Sequence, residues 1–161
     1  MSMKNEDNLP RGIQLLRGFS RLNKNIAQFV QKTASMNNLS VPQYTILITL
    51  SLEKEMTQKL VGKKTFLPKS TLSQSVDGLV QAGLLHRKQV EDNRREVQLS
   101  LSEQGLELLS RIHLQEGSIH QITNSAADLF SETQFKEFLS SLQQLSIFFE
   151  EQTSEQGDDH T

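Results

Sequence analysis

The segment from residue 57 to residue 101 restricts the fold most, because it predicts two short helices followed directly by two short strands. Thr57 can cap a first helix over residues 58–64, since a threonine oxygen accepts hydrogen bonds from the open amides of a first turn. A turn follows at residues 65–67, and Pro68 then suits the start of a second helix. Two helices joined by so short a turn form a helix-turn-helix pair.

The second helix has an apolar face and a defined end. Gly83 ends it in the left-handed conformation that glycine favours after a helix. Two strands are predicted next, at residues 84–90 and 97–101, with a polar tip at residues 91–96 between them. The apolar face of the helix consists of Leu72, Val76, Leu79 and Val80. A helix-turn-helix followed by a hairpin is a winged helix, so we expect a mainly helical fold with a small β-hairpin wing.

Helices are also predicted on both sides of this segment. Residues 10–36 form a long amphipathic pattern. Residues 44–50 are rich in β-branched side chains, and periodicity alone leaves open a helix capped by Ser40 or a buried strand. Ser102 can cap a long fifth helix, and Ser131 has capping-box spacing to a glutamine at the start of the last one.

Composition excludes several classes of function. The chain has no cysteine, which excludes disulfides, thiolate catalysis and cysteine-ligated metal. Its first ten residues are polar and no apolar run reaches the length of a membrane span, so we expect a cytoplasmic protein. Only 35% of the residues are apolar, which predicts a small core that several helices or a partner chain must complete.

Charge is divided unevenly along the chain. The formal net charge is −2. Residues 54–95 nevertheless carry nine basic and four acidic side chains, whereas residues 96–161 carry two basic and twelve acidic ones. The basic segment coincides with the predicted helix-turn-helix and wing, which is typical of a DNA-binding surface. Charge alone leaves open the alternative of chance clustering on an ordinary solvated surface.

Several short motifs at matching spacing resemble the MarR family of bacterial regulators. They lie between about Leu39 and Ile112, and the order of helices outside that range is similar too. In the wing, Asp92 and Arg94 form an Asp-x-Arg element. The remaining motifs are Met56-Thr57-Gln58, Pro68-Lys69-Ser70-Thr71-Leu72-Ser73, Val76-Asp77-Gly78-Leu79, Gly83-Leu84-Leu85 and Leu99-Ser100-Leu101-Ser102.

The resemblance implies one MarR-like domain over residues 1–161. Within it, residues 10–36 and 103–150 would supply the dimerisation helices of a homodimer, and residues 40–102 the winged helix that binds DNA. The resemblance also implies a helix at residues 44–50, a recognition helix at about residues 68–81 and a wing in the minor groove. A small-molecule effector pocket between the dimerisation and DNA-binding parts is a further expectation.

The chain departs from the family pattern at the helix-turn-helix. Gly62 stands where the family usually has alanine, and Val61 where it has leucine. Gly62 should weaken the short helix by about 1 kcal/mol relative to alanine. Phe66 stands in the turn where glycine is usual, and Pro68 replaces a serine-type cap. We therefore expect the architecture to hold, whereas these departures leave the angle of the recognition helix open.

The predicted DNA contacts form three groups. The first two turns of the recognition helix should face base edges in the major groove, where Gln74 can bond adenine bidentately. In the wing, Arg94 should enter the minor groove with Asp92 positioning it, while Arg95 points to phosphate or solvent. The recognition-helix residues are Lys69, Ser70, Thr71, Ser73, Gln74 and Ser75, and the candidate phosphate contacts are Lys63, Lys64, Arg87 and Lys88. The alternative for each is an ordinary solvated polar side chain.

Neither a metal site nor a catalytic site is predicted. His113 and His120 could share one helix face with Glu116 between them, but ordinary surface histidines are the favoured interpretation; His86 and His160 do not complete a set. No nucleophile–base pair or phosphate-binding loop occurs, so we expect no enzyme and no cofactor. The expected function is a sequence-specific double-stranded DNA-binding regulator, acting as a homodimeric repressor on a pseudo-palindromic operator. The alternative is a winged-helix protein–protein interaction module that does not read DNA.

Overall fold

The computed structural model describes residues 9–91 and 93–155, without the side chains of Arg94, Ser154 and Glu155. The fold is mainly helical with one antiparallel three-stranded sheet in the order β1-β3-β2, which confirms the predicted fold class. The helices are α1 Arg11–Met36, α2 Val41–Ser51, α3 Gln58–Thr65, α4 Lys69–Gln81, α5 Glu103–Leu114, α6 Ile119–Ala127 and α7 Glu132–Glu155. The strands are β1 Met56–Thr57, β2 Leu85–Val90 and β3 Asn93–Leu101.

The described residues form two compact units, one ending at Gln121 and the other beginning at Ile122. The first contains the sheet and the helices from α1 to α5, and the second contains α7. In the second unit Phe130 stacks on Phe138 with ring centroids 5.5 Å apart. The assignment of residues 10–36 and 103–150 to dimerisation within a single domain stays a prediction.

Residues 44–50 are helical, as the resemblance implied. Ser40 and Gln43 form a capping box at the start of α2, with the Gln43 amide donating to Ser40 Oγ and the Ser40 amide donating to Gln43 Oε1. Ile46 and Leu47 are fully buried and Leu50 is nearly so. The helix therefore lies inside the core, and this is why its apolar residues show no one-sided pattern.

The core of the first unit joins the helix-turn-helix to the sheet and to α5. It consists of Ala34, Tyr44, Ile46, Leu47, Leu50, Met56, Val61, Leu72, Val76, Leu79, Leu85, Leu99, Leu109 and Ile112. Both faces of α2 contribute to it, and α4 contributes its predicted apolar face. The orientation of α4 is thus set by burial, and its polar side is left at the surface.

The hairpin is longer than the sequence predicted, and a third strand joins it. β3 begins at Asn93 instead of Val97, so most of the predicted polar tip is strand. A register shift lies between Gln89 and Val90. β1 was not predicted, and its Met56 lies opposite Leu99 in the sheet. This short strand ties the start of α3 to the base of the wing.

The prediction of one long fifth helix is wrong, because the chain breaks between α5 and α6. Gly117 has a φ of 73°, which only glycine adopts without strain. The break is held from outside by Thr33, whose hydroxyl accepts a hydrogen bond from the Ile119 amide at 2.8 Å. By contrast, Ser131 and Gln134 form the predicted reciprocal cap at the start of α7.

Candidate nucleic-acid interface

The helix-turn-helix is packed closely enough to fix the position of α4. Gly62 lies on α3 directly beneath Leu72 of α4, and a Cβ atom built on Gly62 would lie 3.0 Å from Leu72 Cδ2. Leu72 is 5% exposed, and Val76 and Leu79 are fully buried. The glycine that departs from the family pattern therefore allows the two helices to approach closely.

The first two turns of α4 present most of the predicted contact residues. Lys69, Ser70 and Gln74 are exposed, and Thr71 and Ser73 are half-buried. Ser75 differs from them because it is only 8% exposed. It lies on the buried side of the helix beside Val76, so its predicted contact with DNA is not favoured by the structure.

The start of α4 is left open to an anion. Pro68 is the N-cap residue and makes no side-chain hydrogen bond to the helix. The amides of a first turn have no partner within their own helix, and the helix dipole places positive charge at this end. With the exposed ammonium of Lys69 in the same turn, this end of α4 suits a phosphate group.

A cavity of about 520 Å³ lies between α3, α4 and β3. Three cationic side chains, Lys59, Lys69 and Arg95, line it, together with the apolar side chains of Leu67 and Leu72. The complete lining is Thr57, Gln58, Lys59, Gly62, Leu67, Lys69, Leu72, Ser73, Arg95, Glu96 and Val97. Arg95 therefore belongs to the recognition-helix side of the wing, and Lys59 is a cation that sequence reasoning missed.

An ion pair links the wing to the recognition helix. Arg87 on β2 donates to Asp77 on α4, with Nη1 2.5 Å from Oδ1. Both side chains are well exposed, so the pair contributes only about 0–1 kcal/mol to stability. Its geometric effect is to tie the guanidinium of Arg87, a predicted phosphate contact, to α4. Sequence reasoning missed Asp77 because the pair spans two elements.

The remaining predicted residues are either exposed or outside the described part. Lys63 and Lys64 occupy the last turn of α3 and are exposed, as is Lys88 on β2. Asp92 lies outside the described residues. Arg94 has its backbone in β3, but its side chain lies outside them as well. The predicted pairing of Asp92 with Arg94 therefore stays a prediction.

The histidine pair is brought together, but not on one helix. His113 on α5 and His120 on α6 stack with ring centroids 3.9 Å apart. His113 Nδ1–H donates to the Leu109 carbonyl, and His120 Nε2 shares a 2.8 Å hydrogen bond with the Tyr44 hydroxyl. Burial, and secondly the charge of His113, hold the pKa of His120 below its usual value. Within residues 9–91 and 93–155, no three acidic or histidine side chains are placed to hold a metal ion.

These features agree with the comparison to known proteins. The model of the MarR family matches residues 37–96, which run from the end of α1 to the wing. The chain is therefore similar to the MarR family over this segment. Among curated MarR-like relatives it is 35% identical over 68 residues to the organic hydroperoxide resistance transcriptional regulator of Bacillus subtilis. It is 30% identical over 96 residues to the HTH-type transcriptional regulator PecS of Dickeya dadantii.

These matches are partial. They cover 42% and 58% of this chain, and 46% and 58% of the respective relatives, so the chain spans about half the length of each.

Solved MarR-family structures share the fold over a longer range. A regulator from Methanosarcina mazei Go1 superposes with a TM-score of 0.72 at 19% identity, covering 95% of this chain and 99% of its own. A mutant of E. coli MarR complexed with operator DNA gives 0.67 at 16% identity, covering 90% and 99%. NadR in complex with 4-hydroxyphenylacetate gives 0.68 at 16% identity, covering 80% and 89%. In the described ranges of the present chain, no helix is both long and apolar enough to cross a membrane.

Proposed function

We propose that this chain is a MarR-type, sequence-specific regulator that binds double-stranded DNA and represses transcription in the cytoplasm. The observation that supports this most directly is the surface formed by α4 and the wing, where an uncapped helix start adjoins a cavity lined by Lys59, Lys69 and Arg95. Phosphate contacts of this kind supply affinity and register, and polar side chains in the first turns of a recognition helix supply sequence readout. We infer that the protein is not an enzyme.

The proposed DNA-binding form is a homodimer. The long helices α1 and α7 leave many apolar side chains exposed, and apolar surface of this kind is typical of an interface that a partner covers. These are Ile13, Leu15, Leu16, Leu22 and Ile26 on α1, and Phe138, Leu139, Ile147, Phe148 and Phe149 on α7. A second copy related by two-fold symmetry offers the same surface in return. Light scattering should give the mass of a dimer at micromolar concentration, and a stable folded monomer would contradict this part of the proposal.

The proposed site is an imperfect palindrome whose half-site centres lie about one helical turn apart, because two symmetry-related recognition helices must enter successive major grooves. Selection of bound sequences from a random duplex library tests this directly. Recovery of a single asymmetric half-site would contradict it. A protein-interaction module would recover no sequence and would not be retained on duplex DNA at low salt.

In the wing, we propose that Arg94 enters the minor groove and that Asp92 holds its guanidinium in position. The test is whether one substitution raises or lowers the affinity for DNA. Asp92→Ala removes a negative charge from a DNA-facing surface, so simple repulsion predicts tighter binding, whereas loss of positioning predicts weaker binding. Weaker binding supports the proposal, and tighter binding overturns it.

We also propose that a small organic ligand releases the protein from DNA. NadR, a fold neighbour, was solved with 4-hydroxyphenylacetate, and this chain has no cysteine for a thiol-based mechanism. A screen of aromatic carboxylates for release of the protein from its selected duplex tests this part. Unchanged DNA affinity across the series would count against it.

A further inference from the structure

Phe66 occupies an unusual position in the helix-turn-helix. It is the C-cap residue of α3, with φ 54° and ψ 21°, in the left-handed region of backbone conformation. Its amide donates to the Gly62 carbonyl at 3.0 Å. The residue is 91% exposed, so its aromatic ring is presented to solvent between the two helices of the motif.

Folding alone does not account for a phenylalanine here. A bulky residue with positive φ carries strain that glycine would avoid. The ring is also too exposed to gain much from burial in the folded chain. Backbone strain at an exposed residue, retained without a packing benefit, is a feature of sites that contact a ligand.

The surroundings of Phe66 favour a polyanionic partner. Residues 56–76 contain four lysines and no acidic residue. Lys63 and Lys64 lie directly before Phe66 in the last turn of α3, and Lys69 opens α4 directly after it. An apolar protein partner would have to desolvate these ammonium groups, whereas DNA neutralises them with phosphates.

We propose that the ring of Phe66 packs on an apolar edge of the DNA, a thymine methyl or a deoxyribose, beside the bases that face the start of α4. This rests on the proposed DNA-binding function and adds a contact that is neither a phosphate bond nor a base hydrogen bond. Phenylalanine is suited to such a contact, because thymine methyl groups in the major groove are recognised by apolar side chains. In this arrangement the flanking lysines bind phosphates of the DNA backbone, and the ring packs against the DNA between those phosphate contacts.

The test compares Phe66→Gly and Phe66→Ala with the wild type on a duplex selected by the wild-type protein. Both variants should bind the duplex with an affinity lower by about tenfold or more. The slope of affinity against salt concentration should not change, because no charge is lost. Lys64→Ala should instead make the slope shallower. The matched control is Leu52→Ala, which removes an apolar side chain that is 80% exposed but stands beside Glu53 and Glu55.

A second arm identifies the surface that the ring touches. Replacing thymine by uracil, one position at a time, removes a single methyl group from the duplex. If the uracil duplex is bound more weakly than the thymine duplex by the wild type but not by Phe66→Gly, the ring contacts the methyl group. If the substitution changes the affinity of neither protein at any position, the ring contacts the deoxyribose. If the wild type binds DNA and both Phe66 variants bind it with the same affinity, the contact of the ring with DNA is overturned and the proposed function is not. A wild type that is retained on no duplex at low salt overturns the proposed function as well.

Discussion

Replacing Phe66 by glycine should stabilise the folded protein although it removes a large apolar side chain. An L-residue in the left-handed region costs about 1–2 kcal/mol, and Phe66 has φ 54°. Glycine removes that cost but adds conformational entropy to the unfolded chain, which returns about 0.4–1 kcal/mol. The ring is 91% exposed, so its removal forfeits little packing. The expected net gain is about 0.5–1 kcal/mol.

Thermal and urea unfolding followed by circular dichroism measure this gain. For a chain of this length, about 0.5–1 kcal/mol raises the Tm by roughly 1–4 °C. The samples must share one protomer concentration, because any subunit association makes the Tm depend on concentration. The urea midpoint should rise with no change in slope, since the surface exposed on unfolding is nearly the same.

Two controls separate backbone strain from loss of the ring. Phe66→Ala also removes the ring but keeps a Cβ at positive φ, so it should give no gain. Asn38, whose φ is 55°, tolerates this conformation better than most residues, so Asn38→Gly should give a smaller gain than Phe66→Gly. A Phe66→Gly protein no more stable than Phe66→Ala would refute the reasoning, because strain at this turn would then not be the dominant effect.

Four further predictions concern the start of α5, the base preference of the proposed DNA complex and, in two cases, the histidine pair. Gly105→Ala should destabilise the fold by about 1–3 kcal/mol, because its Cβ would collide with the backbone carbonyl of Leu84; a wild-type urea midpoint would contradict this. Gln74→Ala should relax base preference at one position per half-site, at about 1–3 kcal/mol, and an unchanged selected sequence would remove Gln74 as a reader. The pKa of His120 is lower in the folded protein than in the unfolded chain, so as the pH falls the unfolded chain takes up the proton before the folded protein does. The free energy of unfolding that His120 contributes is therefore complete above about pH 6.5 and declines as the pH falls below that value. His113→Gln should raise the pKa of His120 in an NMR titration, since it removes one of the two causes of the lowering, and an unmoved pKa would show that the charge of His113 has no such effect.

The helix ends were predictable from the sequence because their hydrogen bonds are local. Thr57 accepts from the Leu60 amide, Ser102 accepts from the Gly105 amide, and Ser131 pairs with Gln134. Each contact joins residues three apart, so the residue type and its spacing carry the whole signal. The same holds for Gly83, whose positive φ follows from its place after α4.

The features that sequence reasoning missed depend on distant partners. β1 consists of two residues whose strand character comes from pairing with β3 across the chain. The break before α6 is held by Thr33, which is 86 residues from Ile119. The ion pair of Asp77 with Arg87 joins a helix to a strand. None of these has a local pattern, because the structure that stabilises each is made by another part of the fold.

The two departures at residues 62 and 66 are best understood together. Alanine at position 62 would be the better helix former by about 1 kcal/mol, yet its Cβ would lie 3.0 Å from Leu72 Cδ2, so the buried Leu72 side chain would have to shift. Glycine at position 62 therefore leaves room for the Leu72 side chain of α4 against α3. The left-handed turn at position 66, closed by the backbone bond from the Phe66 amide to the Gly62 carbonyl, would form with glycine as well, so what phenylalanine adds there is an exposed ring. The sequence thus accepts a lower helix propensity at position 62 and a strained turn residue at position 66, and both departures lie next to α4. In the proposed complex with DNA, readout depends on where α4 lies in the groove, so we expect substitutions at both positions to affect specificity as well as stability.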